Sequence, residues 1–120
     1  PSYFKNLSEN DILFIDSSHV SKIGSDVNYL FLQILPILNP GVLIHIHDIY
    51  YPWNYFRLFT EEHLIFWNEQ YMLGALLTGN VNFEVLLAVN FLSINFKEQI
   101  KKNLKDNDFG GGSFWMKKEK

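Results

Sequence analysis

The sequence of 120 residues contains no cysteine. A disulfide framework and a metal site built on thiolates are therefore both excluded. The first residues also lack the basic segment followed by an apolar segment that marks a secretory signal peptide. Together these absences predict a cytoplasmic protein.

Long apolar runs and a basic surface are missing as well. The most apolar stretch, 29–46, is interrupted by polar residues and prolines, whereas a membrane-spanning helix needs about 20 apolar residues. The formal net charge is −3, and the lysines cluster only within 101–105 and 117–120. Nucleic acid binding requires a contiguous basic face. We therefore expect neither a membrane nor a nucleic acid as a partner.

The sequence is rich in apolar residues: 48% are hydrophobic and 17% aromatic, against 19% charged. Disordered chains have fewer apolar and more charged residues, so this composition is typical of a packed globular protein. The length leaves room for one hydrophobic core. We expect a single domain over residues 1–120.

The first half of the chain predicts a strand, a helix and a second strand. The apolar run within 11–16 ends in Asp16, and a second apolar run occupies 41–47. Between them, apolar residues recur at helical spacing after Ser25 and Asp26, either of which would cap the helix: Val27, Leu30, Phe31, Ile34, Leu35 and Leu38. Strands joined by such a crossover are parallel and adjacent. Asp16 and Asp48 should therefore lie side by side at one edge of the sheet.

An aromatic segment, 50–56, follows the second strand and has neither helical nor strand periodicity. It predicts a loop over the same edge, where ligands usually bind. Its aromatic residues could cover a bound ligand, or pack on the sheet or on a neighbouring subunit. They are Tyr50, Tyr51, Trp53 and Tyr55. His47 is expected to line the pocket beside Asp48.

The remainder predicts two helices and two strands. A helix should open at Thr60 and stop at Gly79, with Leu64, Trp67, Tyr71, Met72, Ala75 and Leu76 as its buried stripe. On this interpretation, 68–70 form a polar, solvated face. A strand over 83–89, a short helix over 96–104 and a final strand over 113–118 complete the chain.

The order of these motifs resembles strands four to seven of the class I S-adenosylmethionine-dependent methyltransferases. The residues that carry the resemblance are Phe14-Ile-Asp-Ser-Ser-His19, Pro40-Gly41, His47-Asp48 and the closing Gly-Gly-Ser-Phe-Trp segment. The resemblance implies the C-terminal half of a Rossmann-like α/β fold, a mostly parallel sheet with an antiparallel last strand and helices packed on it. The pattern Asp16-x-x-His19 is most similar to the sugar and macrolide O-methyltransferase branch.

That resemblance also implies a chemistry. S-adenosylmethionine would donate a methyl group to a hydroxyl of a small molecule such as a sugar, and His19 would act as the general base. Asp16 and Asp48 would hold a magnesium ion that orients the acceptor, and Asp16 and Ser17 would contact the cofactor. Two departures stand out: Ile49 occupies a place where many relatives have another acid or an asparagine, and no G-x-G-x-G turn is present. The cofactor-binding half is therefore expected to be absent from this partial domain.

Two alternatives come from other classes of protein. The sequence His45-x-His47 at a strand end places two imidazoles on one face, as in zinc hydrolases, which need further ligands on later strands. A partial domain could also have no catalysis and act as a binding or assembly module, in which a homo-oligomer covers the open sheet edge.

Overall fold

A computed structural model of the protein describes residues 2–105 and 109–120; the remaining four positions of the predicted domain lie outside the described residues. Within the described part the sheet has four strands, β1 Ile12–Ile15, β2 Leu43–Ile46, β3 Phe83–Ala88 and β4 Phe114–Lys118. Their spatial order is β1-β2-β4-β3. Strands β1 and β2 are parallel, and β4 is antiparallel to both of its neighbours.

The mixed α/β architecture confirms the predicted fold class. Because β4 runs against β2 and β3, the strands β1, β2 and β3 all point the same way and the last strand of the chain is the antiparallel one. This arrangement is compatible with part of a Rossmann-like methyltransferase fold. No helix in the ranges 2–105 and 109–120 is both long and apolar enough to cross a bilayer.

The helices are α1 Ser2–Lys5, α2 Asp26–Tyr29, α3 Arg57–Glu61, α4 Glu69–Leu77, α5 Val89–Asn95 and α6 Lys97–Asn103. The predicted cap of α2 is confirmed, since the Ser25 side chain accepts a hydrogen bond from the amide of Asn28. Helix α2 continues as a π-helical turn, Leu30–Ile34, and a 3₁₀ turn, Leu35–Ile37. Pro36 lacks an N–H and its ring crowds the carbonyl four residues before it, so the chain cannot return to regular α-helical geometry at this point.

One face of the sheet forms the core. Ile15, Ile44, Ile46, Phe114 and Met116 are buried against the helical segment that follows β1, whose Val27, Phe31, Ile34, Leu35 and Leu38 are buried as well. Full burial of one such side chain stabilises the fold by about 1.5–3 kcal/mol. The opposite face is more open, and Phe14 on β1 is 59% exposed.

The helix expected from Thr60 to Gly79 is wrong in its start and in its buried stripe. Helix α3 ends at Glu61, the backbone at Leu64 has a φ of 53°, and α4 begins only at Glu69. The buried residues of α4 are Glu69, Gln70, Leu73 and Gly74, whereas Tyr71 is 46% exposed. Hydrogen bonds from the amides of Asn68 and Glu69 to the carbonyl of His19, in a distant loop, set this start. The stop at Gly79 is confirmed, because that glycine has a φ of 68° two residues after α4.

Candidate active site

Two loops that leave the carboxyl ends of β1 and β2 meet at one edge of the sheet. The amide of His47 donates to the carbonyl of Ile15 at 2.9 Å, which extends the parallel pairing to this edge. His19 and Asp48 both have a positive φ, 57° and 56°, so each loop reverses sharply at a residue of the site. The predicted convergence of the two strand ends is confirmed.

Gly112, just before β4, lets the chain approach Asp48 closely. Its carbonyl accepts a 2.7 Å hydrogen bond from the amide of Ile49. A β-carbon at Gly112 would lie 2.8 Å from the Cα atom of Asp48, closer than side chains tolerate. A glycine is therefore required where the last strand passes the end of β2.

His19 lies at the centre of the site and is buried. Its Nε2 atom is 3.4 Å from Oδ1 of Asp16 and 3.7 Å from Oδ2 of Asp48. The Asp16 side chain is 57% exposed, so this side of the imidazole borders solvent. The structure thus brings the three residues together that the sequence singled out.

The other imidazole nitrogen contacts a residue that sequence analysis placed on a solvated face. Nδ1 of His19 lies 2.8 Å from Oε2 of Glu69, at the first turn of α4. The same carboxylate oxygen accepts a 2.9 Å hydrogen bond from the hydroxyl of Ser17. Ser17 Oγ in turn accepts from the amide of His19 at 2.9 Å. The Ser17 hydroxyl is therefore used to join the base to its carboxylate partner.

Glu69 is fully buried. Burial raises the pKa of its carboxyl group, and the hydrogen bonds from His19 and Ser17 oppose that rise. Its second oxygen, Oε1, is buried and has no hydrogen-bond partner among the described residues. Burying a carboxylate costs stability unless it is well paired, so its retention beside an imidazole is typical of a functional site.

Glu69 belongs to a clamp segment, Trp67–Tyr71, that ties together the two loops of the site. The amides of Asn68 and Glu69 donate to the carbonyl of His19, at 2.9 and 3.2 Å. The Asn68 side chain accepts from the amide of Ser21 at 2.6 Å, and the Trp67 ring packs 4.3 Å from the His19 ring. These contacts hold the loop after β1 in place and explain why α4 starts where it does.

Gln70 of the clamp segment fixes the second loop. Its Oε1 accepts from the amide of Tyr50 at 3.0 Å, and its Nε2 donates to the carbonyl of Trp53 at 2.9 Å. A periodicity signal for this arrangement exists in the sequence, because Gln70, Leu73 and Leu77 are spaced at i, i+3 and i+7. The aromatic residues Trp67 and Tyr71 favour a different buried stripe, the one predicted from the sequence.

The aromatic segment is a loop, as predicted, but its members lie in different places. Tyr50 reaches the site: its hydroxyl is 3.5 Å from Oδ1 of Asp48, and burial together with that carboxylate raises its pKa, so the phenol remains protonated. Tyr51 packs on Gly74, and the Trp53 ring lies 5.7 Å from that of Phe91. Tyr55 packs edge-to-face on Trp67 at 5.7 Å. A lid role for these residues stays a prediction.

His47 lies beside Asp48 as expected, with its Nε2 3.7 Å from Oδ1 of that residue. Its Nδ1 faces Nε2 of His45 at 3.3 Å. The two imidazoles of the H-x-H pattern therefore face each other. No group of three or more His, Cys, Asp or Glu suited to a metal occurs in the part of the chain that the structure covers.

Residues 2–49 match the family model of a methyltransferase domain. The matched stretch contains Asp16, Ser17, His19, His47 and Asp48, whereas the clamp segment lies outside it. The match spans less than half of the chain, and it supports a class I S-adenosylmethionine-dependent methyltransferase and methyl transfer in general. No curated protein and no solved structure gives a significant match to the chain.

Proposed function

We propose that the protein methylates a hydroxyl group of a small, hydroxylated molecule such as a sugar, and that His19 is the general base. The observation that carries this proposal is the pairing of the two imidazole nitrogens. Nδ1 is held by a buried carboxylate, while Nε2 faces the side of the site that borders solvent. Methylation of a hydroxyl requires such a base because the oxygen must lose its proton as it gains the methyl group.

The contact between His19 and Glu69 defines the protonation of the base. Carboxylates face both imidazole nitrogens, but Oε2 of Glu69 lies 2.8 Å from Nδ1, whereas the oxygens of Asp16 and Asp48 lie 3.4 and 3.7 Å from Nε2. The shorter contact directs the single proton of the neutral imidazole to Nδ1. Nε2 is then free to accept a proton. Glu69 thus acts as a positioning residue: it sets the tautomer and holds the plane of the ring.

The charges around Nε2 suit the product of proton transfer. S-adenosylmethionine supplies an electrophilic methyl group on a positively charged sulfur when it is bound. While the bound cofactor would supply the methyl group, Nε2 of His19 would accept the proton that the acceptor hydroxyl gives up. The resulting imidazolium lies between Glu69 and the carboxylates of Asp16 and Asp48, which stabilise its positive charge.

The carboxylates of Asp16 and Asp48 are suited to bind a hydroxylated acceptor. Both are carboxylates near the proposed base, and hydroxyl groups next to the reacting one can donate hydrogen bonds to them. Asp16 projects from the carboxyl end of β1, where ligands of open α/β sheets bind, so it can also contact the cofactor. The Ser17 side chain is engaged by Glu69, which leaves its backbone for that role.

Magnesium assistance stays a prediction and the mechanism does not use it. Nε2 of His19 lies 3.4 Å from Asp16 and 3.7 Å from Asp48, so the imidazole would compete with a shared ion for both carboxylates. Magnesium prefers six oxygen ligands in an octahedron. The donor set found in 2–105 and 109–120 falls short of a resident site.

The first test is calorimetric titration of S-adenosylmethionine into the protein, followed by transfer of a tritiated methyl group to a panel of free and nucleotide-linked sugars. Saturable cofactor binding and labelling of a hydroxylated acceptor support the proposal. Cofactor binding with labelling only of amine or carboxyl acceptors contradicts the assignment of the acceptor class.

An assembly role is favoured by one separate observation. β1 lies at an edge of the described sheet, and its Ile12 and Phe14 side chains are largely exposed. Edge strands with apolar side chains tend to pair with another chain. Sedimentation analysis distinguishes the cases: a dimer that Phe14→Ser dissociates supports assembly, and a monomer at high micromolar concentration contradicts it.

A further inference from the structure

His45 lies in a row of rings on the more open face of the sheet. The strand register places Phe14, His45 and Trp115 next to one another across β1, β2 and β4. The Phe14 ring stacks on His45 at 4.3 Å with an interplanar angle of 5°, and Trp115 meets it edge-on at 4.7 Å. His45 is consequently buried, although the face around it is open.

A series of polar contacts runs from Trp115 through this row to the active site. Nε1 of Trp115 donates to Oγ of Ser113 at 2.9 Å, and Oγ of Ser113 lies 3.2 Å from Nδ1 of His45. Nε2 of His45 lies 3.3 Å from Nδ1 of His47. Nε2 of His47 lies 3.7 Å from Oδ1 of Asp48, whose other oxygen is 3.7 Å from Nε2 of His19.

The Asp48 end of this series sets its direction, because the hydroxyl oxygen of Ser113 can accept from Trp115 in either case. An indole N–H can only donate a hydrogen bond, and an ionised carboxylate can only accept one. If Ser113 donates its own proton to Nδ1 of His45, that ring carries its proton on Nε2 and donates it to His47. His47 then carries its proton on Nε2, the atom that faces Asp48. In the reverse direction, His47 would turn an unprotonated nitrogen toward Asp48 and, unlike His19, would have no nearer carboxylate at its other nitrogen among the described residues.

The surroundings of His45 agree with a neutral ring. Burial and the proximity of His47 lower the pKa of His45, while the charge of Asp16 acts against that change. A neutral ring has one donor and one acceptor nitrogen, so each imidazole transmits the direction of the bond that it receives.

We propose that Trp115 and Ser113 are positioning residues that set the tautomers of His45 and His47, so that the Nε2–H group of His47 faces Asp48. At 3.7 Å this contact is longer than a hydrogen bond and acts by charge–dipole attraction on one oxygen of Asp48, while the second oxygen lies toward His19. The tautomer assignment stands on the geometry alone. Its effect on turnover rests on the proposed function.

The experiment is nuclear magnetic resonance of the protein with ¹⁵N-labelled histidine near neutral pH, where long-range proton–nitrogen correlations identify which ring nitrogen is protonated. The expected result is the Nε2–H form for both His45 and His47. An Nδ1–H form at either residue in the wild-type protein overturns the proposal, and this reading needs no variant to fold.

Two variants extend the test. Ser113→Ala removes the donor to His45 and should shift both histidines toward the Nδ1–H form, while Ser113→Thr keeps a hydroxyl and should preserve the wild-type tautomers. Once a methyl acceptor has been identified, Ser113→Ala should lower kcat about fivefold relative to Ser113→Thr, with KM unchanged. This is the effect expected for the loss of one net hydrogen bond. Unchanged tautomers in Ser113→Ala contradict the proposal. If the wild-type protein shows the expected tautomers but no methyl transfer, the proposed function is contradicted while the tautomer assignment stands.

Discussion

The buried carboxylate of Glu69 and the imidazole of His19 form a 2.8 Å contact between residues that lie fifty positions apart in the sequence. His19 comes from the loop after β1, whereas Glu69 comes from the first turn of α4. This contact gives the site a histidine whose orientation is fixed by the fold. It also places an ionisable group in the protein interior, and both consequences can be measured.

The first prediction concerns stability against pH. The pKa of Glu69 is raised above its ordinary value of about 4.5, so between that value and the raised pKa the folded protein retains a proton that the unfolded chain has lost. This group's contribution to stability therefore falls as the pH rises from about 4.5 through the raised folded-state pKa. In Glu69→Gln, this pH-dependent contribution to the free energy of unfolding should be absent. Urea unfolding of both proteins between pH 4 and pH 8 measures it.

The quantity to compare is the difference in unfolding free energy between Glu69→Gln and the wild type, which should shift in favour of the variant as the pH rises. Glu61→Gln is the control, since that carboxyl lies on the exposed surface of α3. A difference that stays flat across the range contradicts the interior ionisation of Glu69.

Glu69→Gln should also slow methyl transfer. The amide can still accept a hydrogen bond from Nδ1 of His19, but it lacks the negative charge that stabilises the imidazolium. We expect kcat to fall roughly 10²-fold, the lower range for loss of general-base efficiency, with little change in KM. Equal turnover in Glu69→Gln and the wild type would show that Glu69 has a structural role only.

Gln70 should be important for the loop that carries Tyr50. Gln70→Ala leaves the amide of Tyr50 and the carbonyl of Trp53 without their partner, which should cost about 1–3 kcal/mol of folding stability and expose the loop to proteolysis. Tyr71→Phe is the matched control, because it removes a hydrogen bond to Asn54 at the surface. It should change stability by about 0.5 kcal/mol or less. Equal effects of the two substitutions would contradict the proposed anchoring of the loop.

Gly112→Ala should displace Asp48. The added methyl group would lie 2.8 Å from the Cα atom of that residue, so the backbone must shift, at a cost of about 1–3 kcal/mol. Gly110→Ala provides the control, since nothing lies within 4 Å of a β-carbon there. Thermal unfolding and turnover should both be impaired in the first variant and near normal in the second. A fully active Gly112→Ala protein would mean that Asp48 tolerates displacement.

The strands and their meeting point were predictable because they rest on local patterns. An apolar run that ends in an acid, a helical period and a proline–glycine turn each specify one element, and a crossover connection makes the two strands parallel. Asp16, His19 and Asp48 therefore converge as expected. The long-range pairing of β4 between β2 and β3 agrees with the resemblance that the motifs indicated.

Glu69 was not predictable in the same way. Glutamate and glutamine at a helix start are usually solvated, and sequence patterns treat them so. Here both are buried because their partners, His19 and the backbone of the aromatic loop, lie far away along the chain. Trp67 and Tyr71 suggest a buried stripe that is wrong, because Tyr71 is exposed. The spacing of Gln70 with Leu73 and Leu77 could have indicated that Gln70 is buried, whereas the burial of Glu69 depends on a partner that only the fold reveals.

The most direct test of the account compares methyl transfer by the wild-type protein, His19→Gln and His63→Gln, together with calorimetric affinity for S-adenosylmethionine. His63 lies in an exposed loop and serves as the control. If His19 is the general base, His19→Gln should lose 10²-fold or more in kcat, on the order expected for such a group, while it binds the cofactor normally. Turnover of His19→Gln at the level of His63→Gln would contradict the central claim.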